Sequence, residues 1–252
     1  MNSKRIRNKT IFNLISFLLI LIVLWLLPGA LRSENLYIIW FLSAVVISIF
    51  LMIRYKSIRK QDILIAIFLG GISMISNRFF GITAIFAYLG SQSVFHNSNN
   101  KIIVVKSGSK MNITTTILLT VVVGVVLGII NLFFINMGME KNPGFGLEWL
   151  SKAFRAGVTE EIIYRFLLFA ICIHITKDKV LSKIENYLCY IIMSLPHALT
   201  HFTIYNINVV SVIGLFLIFG LPFALLQRKH DLTTAMGSHF IVDFMRFCVF
   251  RA

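Results

Sequence analysis

The chain is predicted to be an all-α polytopic transmembrane helix bundle of about 8–9 spans, with a four-helix core at its C-terminal end. Three observations predict it. Hydrophobic residues make up 58% of the 252 residues and charged residues only 13%, with a mean hydropathy of +0.85; soluble domains carry roughly 25% charge. Apolar runs near the roughly 20 residues needed to cross a bilayer recur along the whole chain. The Lys and Arg residues behind the net charge of +14 sit in short segments between those runs. That is the positive-inside pattern and not a basic face for nucleic acid, so no nucleic-acid partner is expected.

The runs follow in order. The first, 10–28, comes after Lys4, Arg5, Arg7 and Lys9 and ends at Leu26-Leu27-Pro28-Gly29-Ala30. It has no clear small-x-small cleavage site, so it reads as a retained first helix with its N-terminus in the cytoplasm. A second run covers 36–53, and the region 62–95 holds two shorter spans broken near Asn77-Arg78. Further runs lie at 112–136, 152–175, 184–202, 207–227 and 232–250. Nine spans put the cations at 54–60, 101–110, 177–183 and 228–229 on one side of the membrane, as the charge rule asks. Lys152 and Arg155, after the Asn142-Pro143-Gly144 break, suit an interfacial lead-in where long cations snorkel.

The chain divides into 1–140, N-terminal transmembrane helices of unassigned role, and 141–252, the core. Cys172, Cys189 and Cys248 lie in apolar runs without CxxC spacing and read as small core hydrophobes. The many Ile, Lys and Asn residues hint at a low-GC bacterium, and hence at an integral protein of a bacterial cell membrane.

Chemistry concentrates in the core. Glu160 and Glu161 interrupt a stretch otherwise apolar enough for lipid, where an ionisable side chain costs roughly 2.5–3.5 kcal/mol. Arg165 lies four residues after Glu161, at ion-pairing reach on the same helical face, which leaves Glu160 free about 100° around the helix. In Ser194-Leu195-Pro196-His197-Ala198-Leu199-Thr200-His201, the two histidines share a face at i and i+4. That spacing suits imidazoles converging on a metal or a reacting group, and Pro196 can bend the helix toward a cavity. In the last run, His239 and Asp243 again share a face, beside small residues Ala235, Gly237 and Ser238 that let a neighbouring backbone approach. An Asp beside a His can fix its tautomer. Arg246 can snorkel, pair with Asp243 or contact lipid head groups.

Each pattern has a structural explanation: a buried ion pair for Glu161 and Arg165, inter-helix hydrogen bonds for the histidines. Three of them on separate helices are hard to explain by helix association alone. A carboxylate and several imidazoles around water are the parts of a hydrolase site.

The order EExxxR, a second helix ending in a His motif, and a last HxxxN/D helix resembles the CPBP family. These are the CAAX protease and bacteriocin-processing proteins, also known as Abi or type II CAAX prenyl endopeptidases, and the resemblance covers about 145–250. It implies a membrane-embedded protease, a metalloendopeptidase or glutamate protease, acting on a peptide or membrane-protein substrate. By position, Glu160 resembles the family's catalytic glutamate, with Glu161 and Arg165 completing the motif. His201 resembles the histidine of FxxxH, and His239 and Asp243 match HxxxN/D. His197 then stands at the aromatic place of FxxxH, and Phe166 where a Gly often follows the Arg. The resemblance implies water activated by Glu160 and His201, assisted by His239 and Asp243. A Zn2+ ion would be held by His201, His239 and Asp243, with His197 a weaker ligand, and a metal-free mechanism is also adequate. Two alternatives stand beside the protease: a non-catalytic membrane binding or immunity protein on the same fold, and a proton-coupled transporter using the same groups as a relay.

Overall fold

The computed structural model describes residues 2–30, 37–106, 110–135 and 142–250. Helices α1 (Asn2–Ala30), α2 (Tyr37–Tyr55), α3 (Lys60–Ser76), α4 (Arg78–Phe95) and α5 (Lys110–Ile135) precede the core, and no strand occurs among the described residues. The break expected between two short spans falls at Asn77, which is extended (φ −157°) and caps α4 by accepting from the backbone N–H of Phe79 and Phe80.

The core contains α6 (Leu147–Glu160), α7 (Leu168–Thr176), α8 (Lys183–Thr200), α9 (Val209–Leu215), α10 (Leu221–Lys229) and α11 (Leu232–Phe250). Between α6 and α7 the chain stays helical but widens to i→i+5 bonding over Glu161–Leu167, and it widens again over Phe216–Gly220 between α9 and α10. Such widened turns are rare and gather at functional sites. Among the described residues, four helical stretches are long and apolar enough to cross a membrane: Arg7–Leu27, Ile38–Tyr55, Asn112–Phe134 and Val209–Lys229.

Leu14, Ala44, Tyr88, Phe166, Ile192 and Met236 belong to one hydrophobic core, so N-terminal and C-terminal helices share their interior. Close backbone approach positions the site. Gly157 sits where a Cβ would lie 2.7 Å from the Met236 carbonyl oxygen and 2.9 Å from the Phe240 nitrogen, so α6 and α11 touch because residue 157 has no side chain. A Cβ on Gly237 would lie 2.6 Å from Thr120 Cγ2, which places the small stretch of α11 against α5 as its composition suggests. The backbone N–H groups of Asn142 and Gly144 donate to the carbonyls of Val249 and Cys248, so α6 and α11 run antiparallel.

On the positively charged loops, Asp231 ties elements together. It is fully buried and accepts from Thr116 Oγ1, Thr234 Oγ1 and the backbone N–H groups of Lys106 and Thr234. Lys152 pairs with Glu148 one turn away at 2.9 Å, and His174 meets the Tyr55 hydroxyl at 2.9 Å. The three cysteines are free thiols.

Candidate active site

Glu160 lies at the last turn of α6, one residue before the helix widens, and its side chain is 21% exposed. Glu161 and Arg165 are wholly buried. Arg165 Nη1 donates to Glu161 Oε1, as the i, i+4 spacing predicts. Glu161 also accepts from Gln227 Nε2 (2.7 Å) and from His239 Nδ1 (2.8 Å), so a carboxylate in an apolar interior meets donors from three helical segments. Both carboxylate oxygens find donors, which is the condition for keeping such a charge buried. Gln227 was not singled out from the sequence. It ends an apolar run, and its helical face carries no motif that could have flagged it.

The contact of Arg165 with His197 decides a tautomer. Arg165 Nη2 lies 3.0 Å from His197 Nδ1. A guanidinium only donates, so Nδ1 is the bare nitrogen and Nε2 carries the hydrogen. That Nε2–H points at Glu160 Oε2, 2.7 Å away. The imidazole meeting the Glu160 carboxylate is therefore His197. His201, at the C-cap of α8, is exposed, with its ring centroid 5.1 Å from that of His197. Moving the FxxxH register back one helical turn puts His197 at the histidine place and buried Met193 at the aromatic place.

His239 has the opposite tautomer. Its Nδ1–H donates to Glu161, which leaves Nε2 bare and 3.7 Å from both Glu160 Oε2 and Asp243 Oδ2. The carboxylate that orients His239 is thus Glu161 from another helical segment and not Asp243 on its own helix, whose oxygen lies beyond hydrogen-bond distance. The ring of Phe223 stacks on His239 at 4.9 Å and 11°, closing one face.

These groups surround two cavities. The first, of about 210 Å³, is lined by Glu160, His197, His201, His239 and Asp243, with Arg155 and Arg246. The second, of about 400 Å³, is aromatic: Trp25, Trp40, Phe41, Phe80 and Tyr164 form its wall together with Glu160 and His201. Helices α1, α2 and α4 thereby contribute to the surroundings of the site. Trp25 is held in place by its indole N–H donating to the Phe202 carbonyl at 3.0 Å.

Glu160, His197 and His201 offer ligand atoms within 4.8 Å of one another, a spacing a metal ion can bridge. His197 does not fit that role, because its bare nitrogen faces Arg165 and its other nitrogen is protonated. His201, His239 and Asp243, which line the first cavity together, supply the donor types instead. Two imidazoles and a carboxylate are a zinc donor set, and His239 carries the N–H···carboxylate support on its far nitrogen that metal-binding histidines use.

Among known families, residues 142–245 match the one described as Type II CAAX prenyl endopeptidase Rce1-like. No curated protein and no solved structure matches the chain. The matched segment contains Glu160, Glu161, Arg165, His197, His201, His239 and Asp243. The match covers less than half of the chain and coincides with the stretch in which the motifs resemble the CPBP/CAAX family.

Proposed function

We propose that the chain is an intramembrane endopeptidase that hydrolyses a peptide bond with water activated at Glu160. The observation that carries this reading is the hydrogen bond from His197 Nε2–H to Glu160 Oε2 at 2.7 Å, made at the boundary of two cavities. It engages one carboxylate oxygen and orients the other toward space where water and a peptide can enter. Glu160 takes the proton of the attacking water and returns it to the leaving amine, as a general base and then a general acid. His197 holds Glu160 and is itself held by Arg165, so the pair is arranged before substrate arrives. His201 and, once its Nε2 takes up a proton, His239 can donate to the developing oxyanion, and Asp243 Oδ2 lies 3.7 Å from that nitrogen. A zinc ion held by His201, His239 and Asp243 would polarise the carbonyl and lower the pKa of water, leaving Glu160 free as the base. The family match and the four membrane-crossing helices support an integral membrane protease with lipid around it and a peptide or membrane-protein substrate.

The test is Glu160→Gln, which keeps shape and hydrogen bonding but cannot accept the proton of water. Termini of cellular peptides and membrane proteins are compared between wild type and this variant. Cleavage products present in wild type and absent from the variant are expected. Identical sets of termini from two equally abundant, folded proteins would remove the assignment.

A further inference from the structure

Helices α5 and α10 frame a groove of about 420 Å³, walled by Leu119, Val123, Pro222, Leu225 and Leu226, with Lys229 and His230 at one end. None of these residues lines either cavity at Glu160. Both walls belong to stretches long and apolar enough to cross a membrane, Asn112–Phe134 and Val209–Lys229. Helix α5 is drawn tightly onto α11, where a Cβ on Gly124 would lie 2.8 Å from Ile241 Cβ, and the groove lies between its flank and α10. Because the second stretch ends at Lys229, its ammonium group stands at head-group level and the apolar walls lie below it. Pro222 precedes Lys229 by seven residues, about 10.5 Å along the axis, or about a third of the hydrocarbon thickness.

The polar end has an acceptor with no donor. The His230 side chain is only 10% exposed, and its Nδ1 lies 2.9 Å from Thr234 Oγ1 and 3.1 Å from Asp231 Oδ2. The Thr234 hydroxyl donates to Asp231 Oδ1 at 2.7 Å, and a carboxylate only accepts, so His230 Nδ1 carries the ring hydrogen. Nε2 is then the bare nitrogen, on the ring edge turned away from Asp231. It is shielded from solvent and meets no partner among the described residues, and an unpaired buried acceptor is unfavourable. Lys229 is exposed and pairs with no carboxylate among the described residues. The backbone N–H groups of Leu232 and Thr233 donate to the carbonyls of Ile103 and Val104, which joins this end to the segment carrying Lys101, Lys106 and Lys110. Asp231 is the acid at this end, and it is already met by Thr116, Thr234 and the Lys106 N–H.

We propose that this groove is a site for an anionic phospholipid with a hydroxyl-bearing head group, such as phosphatidylglycerol. One acyl chain lies along Leu119, Val123, Pro222, Leu225 and Leu226, the phosphate meets Lys229, and a head-group hydroxyl donates to His230 Nε2. Charge selects this occupant: the lysines at this end attract a net negative lipid and repel the ammonium of phosphatidylethanolamine. Phosphatidylcholine has no donor for Nε2. The site is independent of the chemistry at Glu160.

Delipidated protein in a neutral detergent tests it, by native mass spectrometry with dioleoyl phosphatidylglycerol, phosphatidylethanolamine or phosphatidylcholine added at equal concentration. Phosphatidylglycerol is expected to bind about tenfold or more tightly than the other two. Lys229→Gln removes the charge at an exposed position. His230→Asn keeps a donor toward Thr234 and Asp231 but lacks the outer acceptor. Each should reduce the preference about fivefold, whereas Lys183→Gln, which removes an exposed cation on α8, should leave it unchanged. Leu225→Trp fills the groove and should weaken phosphatidylglycerol binding with every charge in place. Equal binding of the three lipids overturns the site, as does a preference that survives both Lys229→Gln and His230→Asn. Displacement of the lipid by free glycerol phosphate at the same concentration would show a head-group pocket with no acyl chain in the groove, and would also overturn it. So would a dimer that Leu225→Trp dissociates, since a second copy of the chain would then occupy the groove.

Discussion

Arg165 and His197 meet at 3.0 Å through Nη2 and Nδ1, and this contact sets the protonation pattern of the whole site. Because the guanidinium has no acceptor, the imidazole hydrogen is forced onto Nε2 and so toward Glu160. An arginine that touches neither cavity wall nor water thereby controls what the exposed carboxylate can do.

His197→Phe is expected to lower turnover by about 10²–10⁴, the range of a lost acid–base partner, because Glu160 loses the imidazole donor at 2.7 Å. His201→Phe should cost less, since His201 makes no hydrogen bond to Glu160. Rates for both purified variants on one peptide decide it. A larger loss for His201→Phe would return that histidine to the primary place.

Glu161→Gln is expected to damage stability more than chemistry. It leaves buried Arg165 without a counter-charge and removes an acceptor from His239 and Gln227. Breaking a buried pair on one side costs about 3–5 kcal/mol. The thermal midpoint in detergent should fall well below that of Glu160→Gln. Equal midpoints would show that the buried network contributes little.

Gly157→Ala is expected to force α6 and α11 apart, since the new methyl would sit 2.7 Å from a carbonyl oxygen. Overpacking of this kind costs about 1–3 kcal/mol. Activity should fall together with stability, because His239 approaches Glu160 across this contact. A variant as stable and active as wild type would show that the helices can slide without consequence.

Asp178 gives a pH dependence outside the membrane. Burial alone would raise its pKa, but Ser98 Oγ, the Asn99 N–H and Asn100 donate to it and hold the carboxyl below its usual value. A depressed folded-state pKa means that the stabilisation is fully present above the unfolded value, about 3.9, and is lost as pH falls through the folded one. Asp178→Asn tolerates the same left-handed backbone (φ 53°) but removes the charge. Hydrogen exchange of the 98–100 amides should be faster in the variant at pH 7, with the difference between the proteins closing at more acid pH. A difference that grew on acidification would reverse the assignment.

Much of the architecture could be read from composition and spacing. Apolar length located the helices, Asn77 marked the break between α3 and α4, and the i, i+4 rule paired Glu161 with Arg165, because each depends on neighbours within one or two turns. The three motifs also stood in an order that resembles one family before any contact was known. Periodicity left the choice between His197 and His201 open: residues four apart share a face, and only the depth at which α8 sits against the widened Glu161–Leu167 turn decides which one meets Glu160. The same limit hid Gln227, the exchange of Asp243 for Glu161 as the orienting carboxylate of His239, and the aromatic wall supplied by Trp25, Trp40, Phe41 and Phe80. The sequence by itself determined which faces are polar and how far apart they lie along each helix. The tertiary structure decided which faces confront each other, because that depends on long-range helix contacts such as the bare backbone at Gly157, where the absence of one side chain brings two motifs into reach.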